Sequence, residues 1–163
     1  IRMSSFSPAA VKKIETLLEE KGLRSLVEVK NPLDINPGAD DEVHVRVVKL
    51  LAEDSGVDAV VVGLDPLSPA MRTLAEPGGH RYGLENPGSI ANALPGVAAG
   101  LEKPIVGVVD GGRLYDPLVD VLIKEGMAVF RSSDRAVHAL ALYMEARLHA
   151  ERLRRGETNA AYP

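Results

Sequence analysis

Three short aliphatic runs limit what this chain can fold into. They are Val57-Asp58-Ala59-Val60-Val61-Val62-Gly63-Leu64, Lys103-Pro104-Ile105-Val106-Gly107-Val108-Val109 and Met127-Ala128-Val129-Phe130. Each is too short for a core helix or a membrane span, and each is rich in β-branched residues, as strands buried on both faces are. Pro104 is tolerable at the start of a strand. A further strand is expected over Leu23–Val29, although Arg24, Ser25 and Glu28 interrupt its apolar run. Helical patterns separate the runs. Strand and helix in alternation imply right-handed crossovers and a parallel sheet, with a ligand crevice at the C-terminal ends of the strands.

The spacing predicts helices between these runs. Pro8 opens one that runs over Ala9–Lys21, with Val11, Ile14, Leu17 and Leu18 on one face and Gly22 as its stop. Asp40 is a good N-cap for a second helix, and Asp41 and Glu42 lie where the helix dipole favours negative charge. Val43, Val47, Leu50 and Leu51 mark its buried face, and His44 reads as solvated on a charged turn. A short helix is expected from about Pro69, a helix over Ser89–Leu101 with a kink or restart near Pro95, one over Tyr115–Glu125, and a long one capped by Ser132, Ser133 or Asp134. The loop over residues 76–88 is the longest, and loops of that length are usually functional or mobile.

At 163 residues, the chain suits one domain over residues 1–155 with a flexible tail over 156–163. It is 45% hydrophobic but only 4% aromatic, so its core is aliphatic. The net charge of −4 is interspersed along the chain, which argues against a nucleic-acid partner. The arginines at 147, 152, 154 and 155 read as complements to the end of the last helix. Without cysteine, disulfides, thiolate metal sites and a Cys nucleophile are excluded. No apolar run approaches the roughly 20 residues of a membrane span, and no signal peptide is visible, so the expected location is cytoplasmic. The sequence begins Ile-Arg-Met, which is expected of a piece of a longer polypeptide.

Four loops at the strand ends hold the candidate ligand- or phosphate-proximal residues: Asn31, Asp34, Asn36 and Gly38; Asp65 and Ser68; Gly111, Gly112 and Arg113; Ser132 and Ser133. Each also has a plain reading. Asp34 and Asn36 suit Asx turns, Gly111-Gly112-Arg113 suits a strand-to-helix turn as well as an anion nest, and the serines suit helix caps. Ser133 has no histidine placed as its base. His80 sits in the long loop, where solvent exposure outweighs a phosphohistidine reading. No catalytic residue and no metal-ligand spacing emerge.

The strands and loops in this order resemble the flavodoxin-like domain of the succinyl-CoA synthetase superfamily, and within it the NDP-forming acyl-CoA (acetyl-CoA) synthetases. The resemblance rests on Asn31-Pro32-Leu33-Asp34, Gly56-Val57-Asp58-Ala59-Val60-Val61-Val62, Lys103-Pro104-Ile105-Val106 and Gly126-Met127-Ala128-Val129-Phe130-Arg131-Ser132-Ser133-Asp134-Arg135-Ala136, and spans residues 31–148. It implies a three-layer, doubly wound, mainly parallel sheet of about four to five strands. It also implies a ligase that joins acid and CoA at the expense of ATP, with ADP, phosphate and Mg in the full-length protein and no cofactor in this chain. The implied partners are CoA-binding, phosphohistidine and ATP-grasp domains, which this chain lacks, so alone it turns nothing over.

In that family such a domain aims a helix N-terminus at the phosphoryl group. This chain departs from the pattern. Where the succinyl-specific enzymes have a Gly-Gly turn, it has Asp65-Pro66-Leu67-Ser68, and Pro66 and Pro69 remove donors while Asp65 adds a repelling charge. Ser68 remains as a donor. The alternative from another class is a stand-alone flavodoxin-like module that binds a small anion or regulates without catalysis. A flavin site lacks stacking aromatics, and a receiver-like domain lacks its acidic pair and late Lys. The Ala/Leu-rich last helix also offers a surface for a homo-oligomer.

Overall fold

The computed structural model describes residues 1–35, 37–75 and 83–156. In chain order it holds α1 (Pro8–Glu20), α2 (Asp41–Glu53), β1 (Val60–Gly63), α3 (Ile90–Ala99), β2 (Ile105–Val108), α4 (Asp116–Lys124), β3 (Ala128–Phe130) and α5 (Ser133–Arg154). The strands form one parallel sheet in the order β1-β2-β3, with Val62 beside Gly107 and Gly107 beside Val129. The fold is therefore α/β, with helices on both faces of the sheet. The sheet has three strands among the described residues, fewer than the four to five expected.

Sheet alternation divides the core. Val60 and Val62 of β1 and Ile105 of β2 point into a large aliphatic cluster with Ile14, Leu17, Leu18, Val43, Val47, Leu94, Leu118 and Leu122 from α1–α4. Val106 and Val108, one residue out of phase, face α5 through Ala136 and Leu140. A buried Leu, Ile or Val contributes about 1.5–3 kcal/mol relative to exposure, so the four-helix side dominates the hydrophobic stabilisation. The α5 side is thinner, and Val61, which faces it, stays partly exposed.

Three local expectations change. The region around Leu23–Val29 forms a 3-10 turn at Arg24–Leu26, after which Val27 is extended and buried but belongs to no strand. Residues after Pro69 make turns rather than a helix. Of the kink or restart expected near Pro95, the restart does not occur, since α3 runs unbroken over Ile90–Ala99 with Pro95 inside it.

Asp54 joins the first layer to the sheet. It is buried at the C-cap of α2, and its carboxylate accepts the N–H of Ser7, the N-cap of α1, at 2.8 Å and that of Gly56 at 3.1 Å. Its backbone oxygen takes Lys103 Nζ at 2.6 Å, just before β2. The Ser7 N–H holds the Asp54 carboxyl below its usual range, with further help from Gly56 and Lys103, against the opposing effect of burial. A depressed folded value means that this contribution is complete above the unfolded carboxyl value, about 3.9, and is lost as pH falls through the folded value. Asp54→Asn is accordingly expected to flatten the acid limb of stability against pH, as read by urea midpoints at successive pH values. An unchanged acid limb would remove Asp54 from that role.

Candidate functional site

The loops that follow the three strands and the loop before α2, which follows no strand among the described residues, meet through specific contacts. Ser68, buried, donates its hydroxyl to the Pro37 carbonyl at 2.8 Å, which ties the 65–68 loop to the loop before α2. A Cβ built on Gly111 would lie 2.5 Å from Pro66 Cγ and 2.7 Å from Tyr115 Cδ2, so the loops after β1 and β2 pack together only because residue 111 is glycine. Gly112 has φ of 81°, a left-handed turn, and its carbonyl accepts Arg131 Nη2 at 2.7 Å. Arg131 also pairs with Asp116 at 3.2 Å, which joins the loop after β3 to the start of α4.

Most expected site residues are occupied in holding this surface. Asn31 donates to the Ser4 carbonyl at 2.8 Å, next to a cis bond to Pro32. Asp65 accepts the Leu67 N–H at 3.0 Å as an Asx turn, and the Ser68 N–H goes to the Asp65 carbonyl. Asp34, Gly38, Gly112, Arg113 and Ser133 are exposed. Ser132 is the N-cap residue of α5, and its hydroxyl, with the N–H groups of Arg135 and Asp134, holds the Asp134 carboxyl below its usual range. Asn36, His80 and residues 76–82 of the long loop lie outside the described residues.

The hub of the region is a residue read from sequence only as a dipole partner. Asp41, 0% exposed, accepts the Ile90 N–H at 2.6 Å, the Arg72 N–H at 3.1 Å and Arg72 Nη1 at 3.0 Å. Ser89, the N-cap residue of α3, makes no side-chain cap; its hydroxyl goes to the Leu84 carbonyl, and Asp41 caps α3 from a different helix. Thr73 then binds the Pro66 carbonyl at 2.9 Å, which completes the frame of the 66–73 segment. His44 is not solvated: it is 8% exposed, with ring Nδ1 2.9 Å from the Asp40 carbonyl.

A consequence for chemistry follows from where the carboxylates lie. Helix N-termini attract anions through free N–H groups and the dipole. Here α2 begins with Asp40, Asp41 and Glu42, and Asp40 caps the Val43 N–H at 3.0 Å. The first N–H of α3 is taken by Asp41, α4 begins with Asp116, and α5 carries Asp134 in its first turn. Each of these N-termini already holds a negative group of the chain's own. A phosphate at α2, α3 or α5 meets repulsion and donors already taken, so those three N-termini do not fit the phosphates of CoA or ATP.

What the surface does present is apolar. Leu67 and Leu114, on the two loops joined by Pro66 and Gly111, are 72% and 67% exposed, with Asp65 and Asp110 exposed at the ends of the adjacent strands. Sequence alone does not separate these two leucines from core residues, because each lies within five residues of a buried strand end, Leu64 and Val109. Grooves of 680 Å³ between α1 and α2, and of 480 Å³ between α3, α5 and the starts of β2 and β3, lie away from the strand ends. Among the described residues no group of three or more His, Cys, Asp or Glu is placed to hold a metal, and no helix is long and apolar enough to cross a membrane.

No protein-family model matches the chain. No curated protein matches it in sequence. Among solved structures it is similar to PH0766 from Pyrococcus horikoshii OT3, with a TM-score of 0.62 at 18% identity over 81% of this chain. The match supports the α/β fold. The chain spans about a quarter of that protein's length, since the match covers 27% of it.

Proposed function

We propose that this chain is a non-catalytic domain of an NDP-forming acyl-CoA synthetase and that its strand-end surface docks a neighbouring domain of that enzyme. The order of motifs over residues 31–148 and the fold likeness to a much longer protein support the reading. The observation that carries the docking role is the exposure of two leucines on adjoining loops, Leu67 and Leu114, on a surface where Asp40 and Asp41 hold the N-termini of α2 and α3. Exposed apolar side chains grouped on a braced surface mark protein interaction sites. Stabilisation of a phosphoryl group, and the alternative of a stand-alone small-anion module, both need open N–H donors and fit this end of the molecule less well. CoA, ATP and Mg belong to the other domains on this reading.

The test is ATP formation from acyl-CoA, ADP and phosphate by the complete gene product that contains this chain. Activity is expected for the whole product and none for the 163-residue chain. Leu67→Asp/Leu114→Asp is expected to lower the activity of the complete product at least ~10-fold, the effect of losing one interface anchor, with the melting temperature of the isolated chain unchanged. An inactive complete product, or a fully active double variant, overturns the reading.

A further inference from the structure

We propose that the strand-end face docks in the groove between α1 and α2 of a second copy of this chain, head to tail. The inference rests on the reading of Leu67 and Leu114 as docking anchors and takes the neighbouring domain that receives them to be this same domain in a second copy of the enzyme. The groove is 680 Å³, with Ala9 and Leu50 among its lining residues, and it carries Lys12, Lys13, Arg46 and Lys49 against Glu20 and Glu53. Arg46 is engaged by Glu20 and Glu42, and Lys49 lies 3.9 Å from Glu53. Lys12 and Lys13, both exposed, form no ion pair among the described residues.

The strand-end face has the opposite character. Its two leucines stand beside exposed Asp65 and Asp110, with exposed Asp34 on the neighbouring loop, against the exposed cations Arg113 and Arg131, of which Arg131 is already paired with Asp116. Two such faces meeting each other would bring like charges together, whereas face and groove are complementary in sign and in apolar content. The last helix is a poorer candidate for pairing. An antiparallel match of its Val137, Ala141, Met144 and Leu148 stripe, with Val137 against Leu148 and Ala141 against Met144, sets Asp134 against Glu151 at both ends.

A face-to-groove contact is heterologous, so it leaves one free face and one free groove and does not close at two copies. Sedimentation of the 163-residue chain is expected to show mass rising past the dimer with concentration, and association about 10-fold weaker at high salt than at low salt, because exposed charges are screened. Leu67→Asp/Leu114→Asp, which spoils the face, and Lys12→Glu/Lys13→Glu, which spoils the groove, are each expected to be monomeric with unchanged circular dichroism. Mixed, they are expected to form a one-to-one dimer that grows no further, since one supplies the intact groove and the other the intact face.

A chain that stays monomeric up to ~1 mM, where even weak small interfaces populate, overturns this inference, as does a mixture that fails to pair. In either case, loss of activity when the complete gene product carries Leu67→Asp/Leu114→Asp leaves the docking reading standing with a different occupant. Full activity of that variant removes both.

Discussion

Asp41→Ala is expected to cost about 3–5 kcal/mol, the range for breaking a buried ion pair by deleting one partner. The carboxylate is fully buried and receives three different donors: the Ile90 N–H, the Arg72 N–H and Arg72 Nη1. Truncation leaves all three without their acceptor, and the Arg72 Nε is already buried without a partner among the described residues. For a domain of this size each kcal/mol shifts the melting temperature by about 2–4 °C, so a fall of roughly 6–20 °C is expected by calorimetry. Arg72→Met placed in the Asp41→Ala background should recover part of the loss, because it removes the stranded cation. An Asp41→Ala protein within about 1 kcal/mol of the parent would show that water substitutes for the carboxylate.

Gly111→Ala is expected to destabilise by about 1–3 kcal/mol, the usual cost of overpacking. Its Cβ would fall 2.5 Å from Pro66 Cγ and 2.7 Å from Tyr115 Cδ2, and neither ring has a flexible end to swing aside. The loops after β1 and β2 must then separate, which moves Leu67 and Leu114 relative to each other. The variant is expected to lose self-association, or activity in the complete gene product, by more than its loss of stability explains at a temperature where it remains folded. Gly112→Ala is the contrasting case: it meets no neighbour within 4 Å but has a left-handed φ, so its cost is backbone strain without displacement of Pro66. Chemical denaturation of the two variants, read beside their association, separates the two causes.

The strands β1, β2 and β3 were legible in the sequence because each is a short aliphatic run, and the caps of α1 and α2 were legible because Pro8, Asp40 and Gly22 act within a few residues of themselves. The region around Val27 was misread for a physical reason: its composition favours extension, and Val27 is extended and buried, but a strand is defined by a hydrogen-bonded neighbour. Asp41 was under-read because its partners lie 31 and 49 residues away, and capping from another helix has no local signature. His44 was placed in solvent from its charged neighbours in sequence, whereas the turn of α2 that carries it packs inward. The four candidate loops converge in space through two of the candidates, Ser68 and Gly111, and also through Pro66 and Arg131, which carry no ligand signal in the sequence.

The last helix outruns the sheet it covers. Its 22 residues span about 33 Å, whereas a four-residue strand such as β2 spans only about 13 Å. Ala136 and Leu140, its buried residues, both lie in the first half. One continuous helix therefore joins two regimes of amide protection. The turns around Ala136 and Leu140 are expected to exchange with solvent only when the helix leaves the sheet, whereas the turns beyond Met144 are expected to open by fraying from the C-terminal end, at little cost to the rest of the molecule.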